Sequence, residues 1–162
     1  MRKHILLLIT LLATLEVTAQ NNENFYFSNL NLKDGLSQIS VLKIFQDTKG
    51  FIWFGTRNGL NRYDGSEFVI YKHDPKDSLA LSDNHIWSLA EDNDRNLWIG
   101  TARGLNKLDL KTNRIKPFVD ERYGAFAKSE VRCLTVDSRN RLWIGTTKGC
   151  TCMCLQWMYF SV

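Results

Sequence analysis

Proline, histidine and apolar runs are what this chain has least of: two prolines and three histidines in 162 residues, and no long apolar stretch after the first fifteen positions. Scarce proline, with 23% charged and 44% hydrophobic residues, excludes an extended or disordered chain and leaves enough apolar material for a core. The formal charge of +4 is small, and Arg2 and Lys3 account for two of those positives. No basic stripe with interleaved aromatics follows, so nucleic acid is not an expected partner. No segment beyond the N-terminus approaches the roughly 20 apolar residues that a membrane helix needs. Ser-His-Asp spacing, a P-loop and GxGxxG are all missing, so no catalytic residue is assigned and no cofactor is expected.

Cysteine is scarce too, and oddly placed. Cys150, Cys152 and Cys154 alternate, which on a strand would put three thiols on one side. Zinc sites space their cysteines by two to four residues and add a second pair, so no metal is expected. In an oxidising compartment these thiols are expected to mispair. Cys133 is expected in the core. His4 falls in the leader, His73 at a blade edge and His85 beside a loop, all ordinary surface or loop positions.

What is present begins with an export signal. Arg2 and Lys3 precede an apolar run from Ile5 to Leu15, and Val17-Thr18-Ala19 makes a small-residue cleavage site before Gln20. Thr10, Thr14 and Glu16 interrupt the run too often for an anchor. Cleavage after Ala19 and a periplasmic location are the expectation.

The rest of the chain is periodic. At an offset of 45 residues, Asp47, Asp92 and Asp137 come into register, followed by Trp53, Trp98 and Trp143, and by Gly55, Gly100 and Gly145. Thr56, Thr101 and Thr146 align next, then Gly59, Gly104 and Gly149. The first two copies also share Leu36 with Leu81, Ser37 with Ser82, Leu60 with Leu105, Asn61 with Asn106, and Asp64 with Asp109. A period of about 40 to 50 residues belongs to propellers or to helical arrays.

Turn chemistry separates the two. Asp47-Thr48-Lys49-Gly50, Arg57-Asn58-Gly59 and Asp64-Gly65-Ser66 cut the first copy into short pieces rich in β-branched and aromatic residues. Those pieces are Val41 to Gln46, Phe51 to Thr56, Leu60 to Tyr63 and Glu67 to Lys72. In the second copy they are Ile86 to Glu91, Leu97 to Thr101, Leu105 to Leu108 and Ile115 to Val119. The fold class expected is therefore all-β: β-propeller blades of four antiparallel strands in an incomplete ring. Leu97-Trp98-Ile99-Gly100-Thr101 is apolar at successive positions, as a strand buried on both faces must be. Each Trp is expected to pack between blades and each Gly to admit a close neighbour. The repeated Asp residues read as turn formers rather than as a convergent acid pair.

DGLSQISV (Asp34 to Val41), FQDTKGFIWFGTRNGLNRYDG (Phe45 to Gly65), LAEDNDRNLWIGTARGLNKLD (Leu89 to Asp109) and LTVDSRNRLWIGTTKG (Leu134 to Gly149) resemble the two-component regulator propeller repeat. The resemblance implies the sensor region of a Bacteroidetes-type hybrid two-component system: propellers of many blades, a β-sandwich, a membrane helix and a kinase. It implies oligosaccharide ligands, the remaining blades of a parent sensor as partners, and a homodimer in that parent. The boundaries expected are a signal peptide at 1–19, an N-terminal strand and lead-in at 20–35 and blade 1 at 36–80. Blade 2 follows at 81–128, a partial blade 3 at 129–149 and an aberrant tail at 150–162. On this reading the chain is a truncated or frame-disrupted copy of a longer sensor.

Propeller topology puts the loop between the second and third strands at the same end as the loop joining successive blades. Arg57, Asn58, Arg103 and Lys148 there form the expected ligand-binding set, with Tyr71 or Tyr123 as a nearby aromatic for sugar hydroxyls or a uronic carboxylate. A secreted scaffold or lectin, and less favourably a propeller enzyme, are the alternatives.

Overall fold

A computed structural model describes residues 27–119 and 128–155. The export signal and Tyr123 lie outside them. Three antiparallel sheets follow one another along the chain. Blade 1 comprises β1 (Val41–Gln46), β2 (Ile52–Thr56), β3 (Gly59–Tyr63) and β4 (Phe68–Tyr71). Blade 2 comprises β5 (Ile86–Glu91), β6 (Asn96–Thr101), β7 (Gly104–Asp109) and β8 (Arg114–Pro117). Blade 3 comprises β9 (Val131–Val136), β10 (Arg141–Thr146) and β11 (Gly149–Cys154). The described residues contain no α-helix and do not close a ring.

One device recurs in all three blades. The carboxylate that opens the β1–β2 turn accepts two backbone N–H bonds through one oxygen, from Lys49 and Phe51 to Asp47 at 2.9 and 3.0 Å. Asp92 and Asp137 do the same for their own turns. The second oxygen takes the indole N–H of the blade's tryptophan: Trp53 to Asp47 at 2.8 Å, Trp98 to Asp92 at 2.8 Å, Trp143 to Asp137 at 2.9 Å. The expectation of a turn-forming Asp therefore holds for one oxygen only. The other fixes the ring that the next blade must cover. For Asp137 the Trp143 bond is the main reason that its carboxyl ionises well below the usual range, with Arg141 and Arg139 adding to it.

A second device sets the opposite end. Gly59, Gly104 and Gly149 hold φ of 111°, 131° and 128°, which a side chain would resist, and so close the tight β2–β3 turns. The preceding threonine donates to the glycine carbonyl in each copy, Thr56 and Thr101 at 2.9 Å and Thr146 at 3.0 Å. The lead-in is tied to its own blade as well. Ser37 N–H donates to Asn61 at 2.9 Å and Ser82 N–H to Asn106 at 2.9 Å, which accounts for the matched Ser and Asn of the first two copies.

Blades stack by laying the first strand of one against the first two strands of the one before. Trp53 and Trp98 are fully buried in these junctions, with Ile86 and Leu89 beside the former and Val131 and Leu142 beside the latter. A Cβ on Gly55 would stand 2.9 Å from Ile86, and one on Gly100 would stand 2.7 Å from both the side chain and the carbonyl of Val131. Glycine is thus required by the approach of the next blade, and at Gly100 also by the Ser88 hydroxyl of its own blade, which stands closer still.

Three expectations are corrected. Blade 3 does not end at 149 as expected but runs into the tail: Gly149–Cys154 pairs with β10 from Thr146↔Gly149 to Arg141↔Cys154. Backbone pairing is indifferent to side-chain identity, and Met153 and Leu155, both buried, keep an apolar face toward blade 2. Cys133 is exposed rather than in the core, because it lies on the side of blade 3 that no described blade covers. Trp143, on that same side, is 37% exposed where its two counterparts are fully buried. Of the lead-in expected at 20–35, residues 27–35 are described and hold a short 3-10 turn at Leu32–Asp34; the rest of it lies outside the described residues.

Replacing Trp98 with Ala is expected to cost about 3–5 kcal/mol by loss of core packing, with a little more from the lost indole bond to Asp92, whose Oδ2 keeps the Asn96 amide as a donor. Trp143→Ala should cost markedly less. Urea unfolding of the two variants measures this, and equal losses would refute the graded burial.

Candidate functional site

The β2–β3 turns and the interblade loops meet at one end. Gly59 N–H donates to Asn84 at 2.8 Å, Ala102 N–H to His85 at 3.1 Å and Thr147 N–H to Glu130 at 3.3 Å. Each turn therefore touches the segment that leads into the next or the same blade. The four expected ligand residues all occupy this end, in different states. Arg57 is exposed, its backbone N–H held by Gln38 at 2.9 Å. Asn58 spends its side-chain amide on the Ser37 carbonyl at 3.0 Å. Arg103 pairs with Asp83 at 3.3 Å while its side chain stays 77% exposed. Lys148 is exposed on the third turn.

Tyr71 does not serve as the aromatic platform. Its ring stacks on Trp53 with centroids 5.8 Å apart, and its hydroxyl donates to Asn113 at 2.7 Å, so it belongs to the blade junction. A different aromatic group occupies the turn end. His85 stacks on Trp87 with centroids 4.0 Å apart and planes 27° from parallel. The Arg132 guanidinium also lies over the Trp87 ring, 4.0 Å from its centroid, and is held by Glu130 at 3.0 Å. Trp87 and Arg132 are one repeat apart, at the start of β5 and β9, the strands that lie innermost in a propeller.

The repeat pattern hid these residues, since Leu42, Trp87 and Arg132 differ at an otherwise periodic position. The register explains why that position varies. Pairing slips between Val41 and Lys43 and between Ile86 and Ser88, so the residue in between leaves the ladder and is released from blade packing.

Charge from three blades converges on His85. Burial is the first cause holding its imidazole below the ordinary value of 6.5, the Arg57 charge is the second, and Asp83, Glu130 and Arg132 act on it as well. Neither Nε2 of His85 nor Nε1 of Trp87 has a hydrogen-bond partner, although both atoms are buried. Cationic, acidic, aromatic and unpaired polar groups thus share one patch. Among the described residues no group of three His, Cys, Asp or Glu side chains is arranged to hold a metal ion, and no helix is long and apolar enough to cross a membrane.

Residues 35–58, 80–103 and 126–148 match the family model described as two component regulator propeller. These three stretches are two-component regulator propeller repeats. Over 61 residues it is 51% identical to Histidine kinase P4 of Formosa agariphila, an alignment spanning 38% of this chain and 4% of that protein. It is also similar to the crystal structure of the extracellular domain of a protein from B. thetaiotaomicron described as a one component system. That similarity has a TM-score of 0.61 and 28% identity, over 75% of this chain and 17% of the other. A further extracellular domain, from a B. thetaiotaomicron protein described as a hybrid two component system, aligns at 22% identity and a TM-score of 0.48, over 80% of this chain and 25% of that one. The chain therefore spans a small part of each relative.

The His85 ring should titrate with a midpoint below 6.5 in an NMR pH series. Because its folded pKa is depressed, the stability it contributes is complete above the unfolded value of about 6.5 and is lost as pH falls toward the folded one. Arg57→Ala should raise the midpoint only partway, since burial is the larger cause. A midpoint at or above 6.5 in the unaltered chain would contradict the buried environment.

Proposed function

We propose that this chain supplies blades of a periplasmic ligand-sensing propeller belonging to a two-component regulator, and that the ligand is an oligosaccharide held at the turn end. The supporting observation is the convergence of Trp87, His85 and Arg132 with Arg57 from a third blade at that end. Sugars are bound by polar groups of fixed direction set beside aromatic rings, and here Arg132, held by Glu130, stands on the Trp87 ring that His85 also covers. Arg57, Arg103, Arg132 and Lys148 outnumber the carboxylates of Asp83 and Glu130, which favours a glycan carrying acid groups. Asn58 contributes by holding the first turn rather than by reaching the ligand.

Signal transmission is a property of the parent protein in this proposal, as are the remaining blades and the homodimer. The extracellular relatives support a location outside the cytoplasm, with the N-terminal signal providing export. No catalytic role is assigned to the patch. A scaffold or lectin would use the same surface without a coupled kinase.

Calorimetric titration of the parent's whole extracellular region with neutral and acidic oligosaccharides tests the proposal. Arg132→Ala is expected to weaken binding about tenfold or more, near 1.4 kcal/mol, and Trp87→Ala to do the same. Unchanged affinity in both variants would remove the patch from the site.

A further inference from the structure

His85 is gripped by the turns of two blades. The Gly59 N–H of the first β2–β3 turn donates to the carbonyl of Asn84, the residue before it, at 2.8 Å, and the Ala102 N–H of blade 2 donates to the His85 carbonyl at 3.1 Å. The His85 backbone N–H is spent on the Asp83 carboxylate at 2.8 Å. Its ring lies against Trp87 with centroids 4.0 Å apart, and Arg132 of the following blade stands over the same indole. Nε2 of the imidazole is buried without a hydrogen-bond partner. A charged ring there is desolvated with nothing to accept one of its N–H groups.

The charges around this ring do not balance. Arg103 pairs with Asp83 at 3.3 Å and Arg132 with Glu130 at 3.0 Å. Arg57, on the turn that Gly59 fastens beside His85, is exposed and forms no ion pair among the described residues. Arg57 from blade 1, Asp83 from the ring's own loop, and Glu130 and Arg132 from blade 3 all act on the imidazole, while Arg103 reaches it through Asp83. Two causes dominate in disfavouring its charged form: burial first, the Arg57 charge second. The fold fixes the first. The second is exposed to solvent, and an anion that pairs with Arg57 cancels it and brings a negative charge beside the ring.

We propose that this end couples ligand binding to a proton: an acid group of the glycan pairs with Arg57, and the His85 ring takes up a proton from solvent as it does so. The proposal rests on the reading that the turn end binds an acidic glycan, and adds that pH regulates the affinity. The glycan itself is unchanged. By linkage, a site that gains a proton on binding holds its ligand more tightly as pH falls. The window runs from the midpoint of the free ring, below the ordinary 6.5, up to the higher midpoint of the complex. Below it the ring is already charged, and above it no proton is taken up.

Calorimetric titration of the parent's whole extracellular region with trigalacturonate, from about pH 5 to about pH 8, tests this. The probe's carboxylates stay ionised through that range, so the probe supplies no proton of its own. Buffers of unlike ionisation heat give the proton uptake alongside the affinity. Affinity should rise toward low pH by up to about tenfold per unit inside the window, with proton uptake there and none above it. His85→Phe keeps an aromatic ring against Trp87 and cannot titrate. Whatever its affinity, this variant should take up no proton and lose the pH dependence. His85→Gln replaces it if it does not fold. Binding without proton uptake, or uptake undiminished in the His85 variant, overturns the coupling and leaves the acidic-glycan reading standing. Absence of binding at every pH removes that reading and the coupling with it.

Discussion

Everything else in this chain hangs on a carboxylate shared between a turn and a tryptophan. One oxygen of Asp47, Asp92 or Asp137 satisfies two backbone N–H groups that the turn would otherwise leave unpaired, and the other takes the indole N–H. Such bonds to a charged acceptor contribute about 1.5–3 kcal/mol each. Their larger effect is positional. The ring is anchored at its indole N–H, and the glycine two residues later leaves room beside it. The first strand of the next blade then fits in one place only, which is why Ile86 and Val131 fall at matching distances from Gly55 and Gly100.

That constraint also makes the site. Once each first strand is placed by the blade before it, the strand starts and the lead-in loops of successive blades arrive side by side at the turn end. His85 of blade 2 then sits within reach of charges from Arg57 before it and from Glu130 and Arg132 after it. None of these residues belongs to the repeat's own machinery. The periodic residues build the frame, and the aperiodic ones at the register slip are free to differ.

Most of the frame was legible in the sequence, because Trp, Gly and Asp at one spacing report a packing requirement that recurs. β1 and β5 begin and end where the turn residues and β-branched runs place them. Three things were not legible. The indole bond to Asp is a contact between side chains, and spacing alone does not distinguish it from a turn-only role. The continuation of β11 through Cys150 and Cys154 depends on backbone pairing, which composition does not reveal. The site cluster was invisible to a search for repeated residues, since Leu42, Trp87 and Arg132 share a position and no chemistry. The place of Arg57 and Arg103 at the turn end was legible because turn position alone fixes it.

The central claim is that a blade of this chain gains its full burial only when another blade lies on its front. Hydrogen exchange of the indole N–H groups, measured by NMR, tests this most directly. Trp53 and Trp98 donate to Asp47 and Asp92 inside covered junctions, whereas Trp143 makes the same bond to Asp137 on an open face. Exchange at Trp143 should be much the fastest of the three, with Trp53 and Trp98 strongly protected. Equal protection at all three positions would show that the Asp bond alone holds the ring, and would contradict the account.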